Sequence, residues 1–502
     1  MTFDEDDVIR NIHKLPNELI DLIFSFLPAC ALDELFIHPP LVCHVANYIA
    51  KKVDITGYDA EEFIQEHSNL HCRDPDHTMP SFVKIDDFID FCQEYRVSPK
   101  EVTMSVEEID RDDVSFLKLC SSIRLWGIIA GEEEYQFRRD KFEQLNVHEL
   151  NFEFPENLFN PGFVATFPKA LRYLRIETGK ILGNEPVFKQ FQFLENLTLQ
   201  KASMDILRCL PPSLSRLSIG EFYVDRDSST IDPELPSLKV FEVFIIFCEP
   251  GWALEPVFRQ MPNLEKFLAT ETNVANFADL SLPTSLKCIS LSRITTFDYL
   301  TEYENLRELG LYDCKFPVEA FKDANTFPNM FKFVYYGTRR PSITVDHLVF
   351  PKNLQILQLS GKIIIERWTL PKSLRRLGLT AIDIGDNFEF DFPSSVYHLE
   401  IRNTQLQGLD NVTFPSELTI LRITDNKHLQ IISVINLFNL ERLIEVNIFS
   451  NAKLERNDFD QIIYPNQINY RDEIDDVNEI NYSDDSDDTN DMDDSDDSDA
   501  WY

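Results

Sequence analysis

Phe167-Pro168-Lys169-Ala170-Leu171-Arg172-Tyr173-Leu174-Arg175-Ile176 is the stretch on which the fold turns, because the chain repeats it. Leu282-Pro283-Thr284-Ser285-Leu286-Lys287-Cys288-Ile289-Ser290-Leu291 keeps the same proline and the same three apolar positions, as do segments 350–359, 370–379, 392–401 and 414–423. The first apolar residue of each unit falls at Leu171, Leu194, Leu214, Leu238, Leu264, Leu286, Leu306, Met330, Leu354, Leu374, Val396, Leu418 and Leu443, with spacings of 20 to 26 residues. Weaker copies precede it, around 123–125 and 147–152. A unit this short cannot bury its own apolar side, so the copies must stack into a solenoid.

In each unit the second and third apolar residues are two apart, which places them on one face of a strand. The residue between them then points the other way. Those residues are Arg175, Thr198, Ser218, Glu242, Leu268, Ser290, Gly310, Val334, Gln358, Gly378, Glu400, Arg422 and Asn447. They predict an open inner face, about 58 Å long for thirteen strands. Arg216, Lys266, Glu308, Lys332, Arg376 and His398 belong to the same face. Arg175, Arg216, Glu242, Lys266, Glu308, Lys332, Arg376, His398, Glu400 and Arg422 are therefore the candidate ligand-contacting residues. The proline suits a turn that feeds a strand rather than a strand interior. Little chain remains for the returns, which should be short helical turns or extended segments. Nearer the N-terminus, Asp86–Arg96 has helical spacing and Glu101–Val106 reads as a strand. Asp113–Leu119 followed by Ile123–Ile128 repeats that scheme, so the first repeats should carry helices.

Several units resemble the Leu-Pro-x-x-Leu-x-x-Leu-x-Leu variety of leucine-rich repeat, over residues 116–455. The resemblance implies an α/β solenoid with a curved parallel sheet. The family's Asn or Cys, three places after the last Leu, is matched by Cys314, Thr404 and Asn426 but not by Ile294 or Lys362. The buried polar ladder should thus be incomplete.

Ahead of the solenoid stands Leu15-Pro16-Asn17-Glu18-Leu19-Ile20-Asp21-Leu22-Ile23-Phe24-Ser25-Phe26-Leu27-Pro28. Leu19, Ile20, Ile23, Phe24 and Leu27 make one broad apolar stripe on a short helix. Leu32, Leu35 and Phe36 start a second amphipathic stretch, and Leu41–Ile49 forms a third. Three small helices with this much apolar surface require another surface to cover it. The segment 11–50 resembles an F-box on Leu15, Pro16, Glu18, Leu19, Ile23, Leu27 and Pro28, though Cys43-His44-Val45-Ala46 stands where the family's Arg-Trp would be. The resemblance implies that Leu15, Pro16, Leu19, Ile20, Ile23, Phe24 and Leu27 contact a Skp-type adaptor of a cullin–RING ubiquitin ligase. A cap that only shields the first repeat is the other reading.

Lys and Arg number 47 against 85 Asp and Glu, a formal charge of −38. Fifteen of the acids lie within 472–499, which holds no basic residue. Such like-charge blocks repel and stay disordered. The acidic balance disfavours DNA or RNA partners and favours basic ones. Cysteines number 9, with no Cys-x-x-Cys pair, and no apolar run is long enough for a bilayer. These features suggest a cytoplasmic or nuclear protein with reduced thiols and no membrane partner. No nucleotide loop or hydrolase motif stands out. His71, Cys72 and His77 lack the second pair that zinc needs, and Arg339-Arg340 reads as an exposed turn.

The expected organisation is a helical unit over 11–50, a linker with irregular first repeats over 51–115, the solenoid over 116–460 and a disordered acidic tail over 461–502. The expected function is non-catalytic, without cofactor or metal: the substrate-recognition subunit of an SCF-type ubiquitin ligase, docked on its Skp-type adaptor and cullin and holding an unidentified protein substrate. Two rivals stay open. One is an acidic leucine-rich-repeat nuclear chaperone or phosphatase regulator. The other is an F-box scaffold without ubiquitin transfer.

Overall fold

The computed structural model describes residues 12–451 apart from 13, 28–31, 33–34, 56–80, 83, 112–114, 155–158, 182–185, 225–234, 249–253, 338–339, 341, 346, 385–390, 406–407, 410–411, 430, 433–439, 441 and 449–450. The acidic tail, the loop with His71, Cys72 and His77, and Arg339 lie outside the described residues.

Each repeat is launched by a turn. The carbonyls of Pro168, Pro211, Pro283, Pro351, Pro371, Pro393 and Pro415 accept the N–H three residues on, from Leu171, Leu214, Leu286, Leu354, Leu374, Val396 and Leu418, at 3.1–3.4 Å. Proline presets φ there, and its missing N–H costs nothing ahead of the ladder. The seven residues delivered by these turns are wholly buried. A Ser just before the lead residue ties the turn to the previous repeat. Ser213, Ser373 and Ser395 donate to the carbonyls of Leu194, Leu354 and Leu374 at 2.7–2.9 Å. Asn263, Asn329 and Asn353 do the same to Pro236, Glu304 and Pro328 at 2.7–3.1 Å.

The turns feed a nineteen-stranded sheet. Its strands are β1 (Lys52–Ile55), β2 (Ser81–Phe82), β3 (Glu101–Ser105), β4 (Ser122–Trp126), β5 (Ile129–Ala130), β6 (Val147–Glu153), β7 (Tyr173–Ile181), β8 (Asn196–Ser203), β9 (Arg216–Val224) and β10 (Val240–Cys248). They continue as β11 (Lys266–Thr272), β12 (Cys288–Ser292), β13 (Glu308–Tyr312), β14 (Lys332–Gly337), β15 (Ile356–Gly361), β16 (Arg376–Thr380), β17 (His398–Arg402), β18 (Ile420–Thr424) and β19 (Glu445–Asn447). The pairings are parallel and follow sequence order from β3 onward, with β5 alongside the end of β6. At the first edge β1 lies between β2 and β3. Among the described residues the ladder therefore begins at Lys52, within the segment expected to hold a linker and irregular first repeats.

From β7 to β19 the register is unbroken along one row. Arg175, Thr198, Ser218, Glu242, Leu268, Ser290, Gly310, Val334, Gln358, Gly378, Glu400, Arg422 and Asn447 are neighbours in that order. The apolar residues on either side of this row line the core. Each fully covered Leu or Ile contributes about 1.5–3 kcal/mol of transfer free energy.

The returns are 3-10 turns, as at Met204–Cys209, Phe277–Leu280 and Val318–Phe321, single α-helical turns, as at Pro161–Val164 and Glu255–Phe258, or extended pieces. Ile343–Val345, Ile363–Ile365 and Asp383–Ile384 pair in parallel as a small second sheet. The early repeats carry helices, but not all where the pattern put them. Helix α3 (Ile85–Tyr95) is as expected, and Arg96 ends it in a left-handed conformation at φ 52°. Ser115–Leu119 is only a 3-10 turn. Among the described residues the longest helix is instead α4 (Glu132–Gln144), which the hydrophobic pattern did not announce. Only Tyr135, Arg138 and Phe142 of its thirteen residues are buried. Arg138 is neutralised by Asp110, at 2.6 and 2.8 Å, and by Glu134.

The N-terminal unit holds α1 (Asn17–Phe24), a 3-10 turn at Leu35–Ile37 and α2 (Val42–Ile49). Ile20, Phe24, Leu32, Leu41, Val45 and Ile49 form its core, with Phe82 and Phe91 of the first repeat packed against it.

Candidate functional site

Helix α1 is apolar on two sides. Ile20 and Phe24 are each 1% exposed, and Ile23 and Leu27 are partly covered beside them. The Phe24 ring meets Tyr48 edge-on at 5.4 Å. Ile20 and Phe24 were expected among the partner contacts; they are core residues, because α2 and the first repeat occupy that side. A second stripe faces outward. Leu19 and Leu22 on the helix are 46 and 53% exposed, three residues apart on one side of it, and Leu15 just before the helix and Phe26 just after it are 38 and 80% exposed. Pro16 is exposed beside them. Leu22 and Phe26 were missed in the sequence, although the regular spacing from Leu15 was there to find.

The open face of the sheet is the second candidate surface. Most of its predicted charges answer one another. Arg175 pairs with Glu177 at 2.8 Å, Arg216 with Glu242 at 2.7 Å, and Arg422 with Glu445 at 2.8 Å. Lys266 reaches Glu242 at 3.9 Å and Lys332 reaches Glu308 at 3.7 Å. These exposed pairs fix side-chain positions more than they stabilise the fold. Arg376 and Glu400 form no ion pair among the described residues. His398 was expected to face a ligand, but it is 9% exposed. Burial lowers its pKa, and Arg376 and Arg422 push it the same way.

Between β7 and β11 the face carries an open depression of about 400 Å³, lined among others by Arg175, Thr198, Ser218, Glu242, Phe244 and Thr270. Its floor needs glycine at 220: a Cβ there would lie 2.4 Å from the carbonyl oxygen of Gln200. Further along, Tyr312 and Tyr336 sit opposite each other on β13 and β14 and stack at 5.5 Å with a 12° interplanar angle. The Tyr312 ring leans over Gly310, where an added Cβ would be 3.2 Å from it. Tyr223 and Phe247 stack likewise at 4.9 Å. The sequence hinted at the tyrosines, since each directly follows the third apolar position of its unit. Nothing in the spacing told that they lie flat on the sheet.

Among the described residues no group of three His, Cys, Asp or Glu is arranged to hold a metal ion, and no helix is long and apolar enough to cross a membrane. Arg340 donates to the carbonyl of Asp313, which fixes the turn after β14. Cys120 and Cys314 are buried and free, and burial pushes both thiols up to about 12.

Neither a family model nor a curated protein matches the chain. Among solved structures it is similar to TLR13 in its complex with ssRNA13, at 15% identity and a TM-score of 0.40, covering 70% of this chain and 61% of that one. A leucine-rich-repeat protein of Leptospira interrogans gives 15% identity and a TM-score of 0.36, over 70% of this chain and 89% of that one. The circular leucine-rich-repeat protein CroV588 gives 15% and 0.37, over 70% and 59%. Likeness at this level does not reach function. The repeat period of 20 to 26 residues and the in-register parallel ladder give the described residues the fold of a leucine-rich-repeat solenoid.

Proposed function

We propose that this chain is a non-catalytic receptor subunit, in which the open face of the solenoid grips a protein and α1 fastens that solenoid to a Skp-type adaptor of a cullin–RING ubiquitin ligase. The observation that carries the reading is the outward line of Leu15, Leu19, Leu22 and Phe26. A soluble surface has little reason to present four large apolar side chains on and beside one short helix unless a partner covers them. The opposite side of α1 already serves as the cap of the first repeat, so the exposed line is surplus to folding. The polar, aromatic-studded sheet supplies positioning groups, not an acid, base or nucleophile. Its contribution to ubiquitin transfer is tethering, which raises the local concentration of a target lysine.

Affinity purification of the full chain tests this. Recovery of adaptor and cullin together, lost in Leu19→Asp/Phe26→Asp, is the expected result. Adaptor without cullin points to a scaffold, and histones or a phosphatase without adaptor point to the chaperone class. Undiminished adaptor recovery by the double variant would remove α1 from the docking role.

A further inference from the structure

The sheet has a leading edge, formed by the two residues ahead of each inward-facing pair. On β10–β16 these positions read Lys239-Val240, Glu265-Lys266, Lys287-Cys288, Arg307-Glu308, Phe331-Lys332, Gln355-Ile356 and Arg375-Arg376. They are true neighbours: the N–H groups of Glu265, Lys287, Arg307, Phe331, Gln355 and Arg375 donate to the carbonyls of Lys239, Glu265, Lys287, Arg307, Phe331 and Gln355 at 2.7–2.9 Å. Seven of the fourteen side chains are cationic and two are acidic, in a protein of charge −38. The surplus stops at both ends. The preceding four strands read His148-Glu149, Arg172-Tyr173, Glu195-Asn196 and Ser215-Arg216, and the following three Tyr397-His398, Thr419-Ile420 and Ile444-Glu445.

Three of the cations are occupied, Lys287 by Glu265 at 3.0 Å, Lys332 by Glu308 at 3.7 Å and Lys266 by Glu242 at 3.9 Å. Lys239, Arg307, Arg375 and Arg376 have no ion-pair partner among the described residues. Glu265 reports what this edge does to a carboxylate. Lys287 holds its pKa below the ordinary value, and Lys239 and Arg307 add to the effect.

We propose that this leading edge binds an acidic segment of a partner protein, extended across β10–β16 with its carboxylates set against Lys239, Arg307, Arg375 and Arg376. The inference deepens the reading of the solenoid as a protein-gripping wall by naming the chemistry of what it grips. Six strand steps span about 29 Å, the length of about nine extended residues. Glu265 and Glu308 interrupt the cations, and Phe331, Ile356 and Cys288 lie half-buried between them. A peptide can space its charges to suit that pattern. A nucleic acid, charged at every phosphate, meets the two glutamates and a body that is acidic overall.

Fluorescence anisotropy with the full chain decides it. The probes are a labelled Asp/Glu-rich peptide of about ten residues, its Asn/Gln counterpart and a single-stranded oligonucleotide of similar length. The acidic peptide is expected to bind, with affinity falling as salt rises. Arg375→Glu/Arg376→Glu should weaken it about tenfold or more, and so should Lys239→Glu/Arg307→Glu. Lys322→Glu, an exposed cation away from this edge, should change it little. Equal binding of the neutral peptide, tighter binding of the oligonucleotide, or indifference to both charge-reversed pairs in chains with unaltered circular dichroism overturns the proposal. The assay contains no adaptor, so its failure leaves the role of α1 standing, and loss of that role leaves the acidic-peptide site standing.

Discussion

Asn426 shows how a single side chain joins repeats. It is wholly buried, donates to the carbonyls of Ile401 and Thr424 at 3.1 and 2.9 Å, and accepts from the backbone and hydroxyl of Thr404 at 2.9 and 2.7 Å. Asn426→Leu strands those partners away from water and should cost about 1–3 kcal/mol in urea unfolding. The equivalent place at Ile294 is filled by an equally buried apolar side chain, so the polar ladder is incomplete, as Cys314, Thr404 and Asn426 against Ile294 suggested. His398 gives a pH signature. Arg376 and Arg422 and the acids Glu400 and Glu445 surround it, and burial is the leading cause of its lowered pKa. The unfolded chain then takes up the proton first. Stability should be full above pH 6.5, the ordinary histidine value, and decline as pH falls below it. His398→Gln should flatten that decline in denaturation midpoints measured between neutral and mildly acidic pH. His148, lowered mainly by burial too, should retain a remainder. An unchanged slope would refute the assignment.

At the scale of the element, the strand and its turn were plain in the sequence because each position has one job. Leu374 is wholly buried between neighbouring strands, whereas Leu443, leading the last strand, is only half-buried. Leu374→Ala should cost about 2–5 kcal/mol and Leu443→Ala clearly less. Helix α1 was harder to read. Its apolar residues fit two lines, Ile20-Ile23-Phe24-Leu27 and Leu15-Leu19-Leu22-Phe26, and periodicity cannot choose which line faces inward. The choice is made by Val45 and Ile49 of α2 and by Leu41 just ahead of it, together with Phe82 and Phe91. Ile20→Lys or Phe24→Lys should therefore unfold the N-terminal unit. Leu19→Lys and Phe26→Lys should stay within about 0.5 kcal/mol of the parent. Equal destabilisation by both pairs would show that the outward line is covered in the free protein.

Across the described molecule, a ladder in which each strand touches only its neighbours stores its stability locally. A lesion such as Leu374→Ala should raise amide exchange on β15–β17 and leave β7–β9 protected; uniform loss of protection would mean that the solenoid opens as one unit. Charge is distributed on the same scale. Pairs on the open face are largely self-satisfied, while the leading edge of β10–β16 keeps cations to spare. That contrast is invisible in the net charge. It emerges only when residues from seven repeats are laid side by side.

By itself the sequence determined the repeat, its 20–26-residue period, the thirteen-residue open row and the turn before each strand, because backbone geometry ties these to spacings of two and three along the chain. It also marked the N-terminal helices. Tertiary structure alone decided what depends on neighbours distant in sequence. It buried His398 and Phe24, turned Leu22 and Phe26 outward, laid Tyr312 against Tyr336, and started the ladder at Lys52. Spacing fixes the side of a strand or helix on which a residue sits. Only the packed chain fixes what lies opposite it.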